Sequence, residues 1–264
     1  MGSTAQFHRR LATISRETNE TKIQVSLSLD GGRLEPSLNS SHLADTHPQA
    51  SPASGAELLI TLPTRRHATQ ITPTQQIAVD TGIGFLDHML HALAKHAGWS
   101  LAVFAKGDLY IDDHHTTEDV FLALGSAFAK ALGDRKSLAR FGRGDAPLDD
   151  ALSWAVIDIS NRPYSVISLW AHDSSNPWVG GDYGRSAKRD KVGDLSCEMM
   201  EHGLRSFAQA AGVTLHVRCE YGENLHHRAE SAFKALAIAI RTAIERKADG
   251  TVGGGDVVST KGVL

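Results

Sequence analysis

The sequence predicts an α+β fold made of two copies of one strand–strand–helix–strand–helix unit, with helices packed on one face of mainly antiparallel sheets. Three observations carry this. Segments with apolar residues at every second position alternate with segments whose apolar residues recur every three or four. Gly98 and Gly212 close two of the helical segments, where a C-terminal stop is expected. The second half also repeats the first residue by residue. "DHMLHALAKHAGWSLAV" (87–103) lies over "EHGLRSFAQAAGVTLHV" (201–217) at a constant offset of 114, placing His88 on His202, Leu90 on Leu204 and Leu101 on Leu215. After a two-residue slip, "HHTTEDVFLAL" (114–124) lies over "HHRAESAFKAL" (226–236).

Taken in order, an alternating strand is expected at about 11–29 and another at 76–81, "QIAVDT". Between them, residues 31–76 hold five of the eight prolines and many Ser, Thr and Ala, which predicts a disordered insertion. Within it only "ELLITLP" has the character of a transient strand. A helix follows at 85–97, then the strand "WSLAVFAKGDLYI" and the helix "TTEDVFLALGSAFAKALG". The second half supplies strands "ALSWAVIDIS" and "YSVISLWAH", helix "LSCEMMEHGLRSFAQAAG", strand "VTLHVRCEYG" and helix "HRAESAFKALAIAIRTAIE". The expectation is one domain over 1–264, with pseudo-repeats at about 8–134 and 148–247 and a glycine-rich tail at about 250–264.

Composition narrows the function. A formal net charge of −3 offers no basic excess to displace counterions, which argues against nucleic acid. No apolar run is long enough to span a bilayer, so no membrane partner is expected. The two cysteines, Cys197 and Cys219, form neither a close-spaced metal motif nor a disulfide framework, which points to a reducing compartment. The opening "MGSTAQFHRRLATISRE" lacks a secretory core, Gln6 breaks the myristoylation pattern, and Glu17 and Glu20 come early for a transit peptide. The expected location is cytoplasmic.

The unusual count is 14 histidines. "IDDHHTTEDV" sets two imidazoles side by side, and neighbours on a helix diverge by about 100°. One target cannot take both. The repeat resolves this: each half supplies a helix histidine (His88, His202), a histidine pair (His114 with His115, His226 with His227) and a glutamate one turn on (Glu118, Glu230). Six imidazoles and two carboxylates suit two metal ions, each with three His and one Glu, the members of a pair serving different ions. Spacing leaves open whether Glu118 joins His114 at i,i+4 or His115 at i,i+3. Nitrogen and carboxylate donors without thiolate suit Mn, Fe, Co, Ni or Zn as the divalent ion. His91 and His96 lie one face away, with His96 a candidate for the substrate pocket. His42, His47 and His67 belong to the insertion, and His216 reads as a strand residue.

The segments "TGIGFLDHMLHALAKH", "DDHHTTEDV", "VGDLSCEM…H", "ENLHHRAESAFKA" and "STKG" resemble the signature motifs of the imidazoleglycerol-phosphate dehydratase family. The likeness spans the chain apart from 31–76, which the compact pattern lacks; Asn161 also stands where that pattern has glycine. The resemblance implies dehydration of D-erythro-imidazole-glycerol phosphate to imidazole-acetol phosphate in histidine biosynthesis, with two Mn(II) per subunit. It also implies an octahedral particle of twenty-four subunits built from trimers, with active sites at subunit contacts. Motif by motif, it assigns His88, His114, His115, Glu118, His202, His226, His227 and Glu230 as metal ligands. Arg140 in "ARFG", Arg162 in "SNRPY", and Ser259 and Lys261 in "STKG" match its phosphate contacts. Glu20 in "RETNET" matches its N-terminal motif and is the candidate acid/base, with Glu118 and Glu230 as further catalytic carboxylates.

The chemistry is self-consistent. This substrate has no carbonyl to acidify a neighbouring C–H, but its imidazole can supply the electron push once a Lewis acid eases loss of the ring proton. The rivals are a non-catalytic metal-storage or metal-sensing protein and a di-metal hydrolase. Storage folds of the ferritin kind need long bundle helices and a carboxylate-rich centre, unlike this chain. A hydrolase needs a pocket but not the paired Arg and tail Lys.

Overall fold

The alternating stretch near the start folds back on itself. The computed structural model describes residues 8–34, 68–170 and 190–264. In it, β1 (Leu11–Glu17) and β2 (Thr21–Ser28) pair antiparallel from Leu11↔Ser28 to Glu17↔Lys22. One expected strand is therefore a hairpin. Its turn is built by Thr18, whose hydroxyl oxygen accepts from the backbone N–H groups of Glu20 (3.2 Å) and Thr21 (3.0 Å).

The first sheet continues with β3 (Thr69–Ile71), β4 (Gln76–Asp80) and β5 (Ser100–Gly107), in the order β1-β2-β5-β4-β3. Only β4 and β5 run parallel there, because α1 (Gly84–Ala97) carries the chain back between them. Residues 68–76 were expected in the insertion, but β3 and the buried Gln75 belong to the fold. The Gln75 side-chain amide donates to the carbonyls of Ala94, Lys95 and Trp99 at the end of α1. "ELLITLP" and His42, His47 and His67 lie outside the described residues.

After α2 (His114–Leu132), a second sheet repeats the plan. It holds β6 (Phe141–Leu148), β7 (Ala151–Asp158) and β8 (Tyr164–Ser168), then, after the short pair β9 (Lys191–Val192) and β10 (Leu195–Ser196) and helix α3 (Cys197–Ala211), β11 (Thr214–Tyr221). Helix α4 (Leu225–Ala243) follows. The order β6-β7-β11-β8, with β8 and β11 parallel, matches β1-β2-β5-β4 strand for strand. Each half thus has three main strands before its first helix, one more than the sequence predicted. β6 escaped notice because Gly142, Gly144 and Pro147 argue against a strand. The glycines face α4: a Cβ on Gly144 would lie 2.2 Å from the Ala235 carbonyl oxygen.

Helices α1 and α2 lie on the first sheet, α3 and α4 on the second, and the two helical faces meet, α2 along α3 and α1 along α4. Phe121, Phe128, Phe207 and Phe233 fill this seam and are fully buried. Gly98 (φ 77°) and Gly212 (φ 66°) end α1 and α3 in the left-handed region, as the repeat predicts. No described helix is long and apolar enough to cross a membrane.

Candidate metal centre

The helix starts bring the histidines together. His88, His226 and Glu230 place one donor atom each within 4.8 Å of one another, and so do His114, Glu118 and His202. In the first cluster Glu230 Oε2 lies 3.3 Å from His88 Nε2 and 3.2 Å from His226 Nε2. In the second, Glu118 Oε1 lies 2.9 Å from His202 Nε2, and the rings of His114 and His202 are 5.0 Å apart. Within each cluster the glutamate lies beside the first histidine of its pair, at i,i+4. The clusters exchange under the pseudo-twofold: α1 with α4 makes one, α3 with α2 the other.

Neighbouring residues fix the helix starts. The Asp194 carboxylate accepts from the N–H groups of Gly84 (2.6 Å) and Phe85 (2.9 Å), capping α1 from the other half of the chain. Asp113, just before His114, accepts from the Ser196 hydroxyl at 2.7 Å and from the Ser196 N–H, tying α2 to the start of α3. Asn224 caps α4 through the N–H groups of His226 and His227.

The second histidine of each pair turns away. The ring of His115 stands at 75° to that of His114, and the ring of His227 at 82° to that of His226. His115 Nδ1 meets Asp108 Oδ2 at 3.0 Å, and His227 Nδ1 meets Asp150 Oδ1 at 2.5 Å. The Asp108 hydrogen bond raises the basicity of His115, while the His227 contact leads several that hold the Asp150 carboxyl far below the usual carboxylate range. Glu20 sits in the β1–β2 turn, half exposed, with Oε1 3.7 Å from His115 Nε2.

The clusters differ in one respect. Lys234 Nζ contacts Glu230 Oε1 at 2.7 Å, whereas Leu122 stands at the matching position in the first half. Burial alone would raise the Glu230 carboxyl, but Lys234 and His88 outweigh it and hold it low. Sequence reasoning missed Lys234 although its i,i+4 spacing from Glu230 was visible. It missed Asp108 and Asp150 because nothing local marks them.

The four phosphate candidates cluster elsewhere. Arg140 makes a two-pronged pair with Asp158 (2.7 and 3.1 Å) and donates to the Val258 carbonyl at 2.6 Å. Arg162, largely exposed, lies 3.9 Å from the same carboxylate. Ser259 and Lys261 follow Val258 in a tail that is held down: the Ser137 N–H donates to the Asp256 carbonyl and the Gly255 N–H to the Ser137 hydroxyl, each at 2.8 Å. Asn161, beside Arg162, has φ 53°, the left-handed region that favours glycine and that asparagine tolerates. His96 lies two turns beyond His88, near Lys234 and Arg241, where partial desolvation and Lys234 lower its basicity. The structure does not bring it to the clusters.

The candidate metal ligand His227 and the phosphate candidate Arg140 sit at opposite ends of the β6–β7 hairpin and of α4. His227 touches the β6–β7 turn at Asp149 and Asp150, whereas Arg140 enters β6 at its far end and donates its N–H to Ala243, the last residue of α4. The eight-residue hairpin and the length of α4 each set that separation at about 25 Å.

Fold and site together define a class: a duplicated α+β protein whose helix starts present two imidazole–carboxylate clusters fit for divalent metal. Comparison with known proteins then gives the family. The family model for imidazoleglycerol-phosphate dehydratase matches residues 81–240. The chain is 53% identical over 262 residues to imidazoleglycerol-phosphate dehydratase of Neurospora crassa, covering 99% of both. It is 54% identical to that of Scheffersomyces stipitis over 257 residues, 97% of this chain and 99% of the relative. Such alignments run across 31–76, so a segment of this kind is not peculiar to the chain. The crystal structure of imidazoleglycerol-phosphate dehydratase from Staphylococcus aureus matches at TM-score 0.59 and 26% identity, covering 90% of this chain and 99% of that one. The Pyrococcus furiosus enzyme matches at 0.60 and 25%, covering 95% and 100%. The chain belongs to the imidazoleglycerol-phosphate dehydratase family, and is a hydro-lyase acting in histidine biosynthesis.

Proposed function

We propose that this chain removes water from D-erythro-imidazole-glycerol phosphate to give imidazole-acetol phosphate, using two Mn(II) ions per subunit. The observation that carries the reading is the pair of twofold-related clusters, each with two imidazole nitrogens and a carboxylate oxygen within 4.8 Å and no thiolate. That donor set fits a first-row divalent ion. His88, His226 and Glu230 would hold one ion, and His114, His202 and Glu118 the other. His115 and His227, turned out of their own clusters, would complete the set on neighbouring subunits. Bound metal supplies Lewis acidity, which eases loss of the substrate's ring proton.

The protein's own groups do the rest. Glu20, exposed at its turn beside His115, is placed to move a proton between the substrate carbon and the departing hydroxyl. Glu230 stays ionised beside Lys234, and Glu118 is its counterpart. Arg140, Arg162, Ser259 and Lys261 would bind the phosphate by charge-assisted hydrogen bonds. A substrate of this size cannot bridge about 25 Å, so the phosphate residues serving one chain's metal ligands would come from another copy. This supports sites built at contacts between copies, in keeping with the twenty-four-subunit octahedral particle of trimers that the family resemblance implies. The cytoplasm is the expected location.

The test is loss of water from imidazole-glycerol phosphate by chelator-stripped protein, before and after Mn(II) is restored. Turnover that returns with about two ions per chain supports the reading. Release of inorganic phosphate instead indicates a hydrolase, and metal uptake without turnover a binding protein.

A further inference from the structure

The two outward histidines share a restraint that the duplication did not copy. Asp108 lies seven residues before His115, just past β5. The residue seven before His227 is Glu220, whose carboxylate instead accepts from the Trp154 indole N–H and pairs with Arg218. The second half restores the contact from another element, Asp150 in the β6–β7 turn. Two unrelated positions thus set a carboxylate against the same ring nitrogen, Nδ1.

The two carboxylates are placed by different means. Asp150 Oδ2 accepts from the N–H groups of Glu223 (2.5 Å) and Asn224 (3.0 Å), fixing it to the start of α4. Asp108 is largely buried, and its Oδ1 has no hydrogen-bond partner among the described residues. Leaving a carboxylate oxygen unpaired in the interior is unfavourable, so packing alone gives no reason for an acid there. At the other ring nitrogen, the nearest carboxylates stand beyond hydrogen-bond range: Glu20 is 3.7 Å from His115 Nε2 and Asp149 is 3.8 Å from His227 Nε2. An imidazole that donates from Nδ1 to a carboxylate keeps the lone pair on Nε2.

We infer that Asp108 and Asp150 are positioning residues that fix the Nδ1–H form and the ring direction of His115 and His227, presenting each Nε2 as a metal donor. This rests on the metal reading above. A carboxylate on the far nitrogen also strengthens the donor, and its loss weakens metal binding about 10- to 100-fold.

The experiment uses full-length protein stripped of metal, with Mn(II) binding followed by equilibrium dialysis and elemental analysis. The variants are Asp108→Ala, Asp150→Ala, Asp108→Asn and Asp150→Asn, and the melting temperature of each metal-free protein serves as the structural control. Each alanine variant should bind about half of its Mn(II) about 10- to 100-fold more weakly, and each asparagine variant, which keeps an acceptor for Nδ1–H, should recover much of that loss. Asp150 lies in an exposed turn, so its variants keep the test valid even where Asp108→Ala fails to fold. Unchanged Mn(II) affinity in the alanine variants of folded protein overturns the inference and leaves the metal reading intact. Equal weakening in Asn and Ala variants also overturns it. A wild-type chain that binds no Mn(II) overturns both.

Discussion

Gly144 faces the backbone of α4 so closely that a single methyl group has a calculable effect. In Gly144→Ala the new Cβ would sit 2.2 Å from the Ala235 oxygen, 2.7 Å from the Ala239 nitrogen and 2.8 Å from Ile238 Cβ. Two of these three are backbone atoms, which cannot rotate aside, so strand and helix must part by about 1 Å to restore ordinary contact. Gly→Ala in a strand returns roughly 0.5–1 kcal/mol of conformational entropy, but overpacking against rigid backbone falls at the upper end of the roughly 1–3 kcal/mol range. The net loss is about 2 kcal/mol, or about 4–8 °C in melting temperature for a chain of this size. The displaced stretch begins little more than one turn beyond Glu230, so metal retention should fall as well. Calorimetry on metal-free protein and elemental analysis on metal-loaded protein measure the two effects separately. An unchanged melting temperature would refute the claim that β6 and α4 touch through their backbones.

Glu118→Gln should leave the fold intact and weaken Mn(II) at one of two sites, since an amide oxygen replaces the anionic donor beside His202; dialysis showing two unaltered ions per chain would remove Glu118 from the ligand set. Lys261→Ala should raise KM strongly, by the few kcal/mol expected of a lost charged contact, with metal content and melting temperature steady; unaltered kinetics would assign the tail another role. Asp30, partly buried, would be raised by burial, but hydrogen bonds from Arg10 hold its carboxyl below the ordinary value. With the folded pKa below the unfolded one, its contribution is full above about pH 4 and fades as pH falls through the folded value. The stability gap between wild type and Asp30→Asn should therefore narrow as the solution is acidified below about pH 4, and a constant gap in urea titrations would refute the pairing.

The duplication was legible because His88, His202 and the HHxxE pairs are polar residues that packing does not require, repeated at fixed spacing. Helices were legible from their period and their glycine stops. The hairpin at 18–20 was not, because "RETNET" continues the alternation through a turn that Thr18 makes with its own hydroxyl. β6 was illegible for a different reason: Gly142 and Gly144 oppose a strand until the alanine-lined backbone of α4 is known to lie against them. The choice between i,i+3 and i,i+4 for Glu118 depended on where His202 arrives from another helix. Asp108 and Asp150 depended on tertiary placement alone, as did the wide gap between Arg140 and the histidines.

That gap bears on heredity as much as on chemistry. Where one catalytic unit draws a His–His–Glu cluster from one copy and its phosphate grip from another, two chains crippled in different places can lend each other what each lacks. A strain carrying one gene copy with His202→Ala and another with Arg140→Ala should grow without added histidine, through the fraction of mixed contacts in which both sound surfaces meet. Neither allele alone should support growth. A genetic cross would then map which surfaces face each other before any particle is purified.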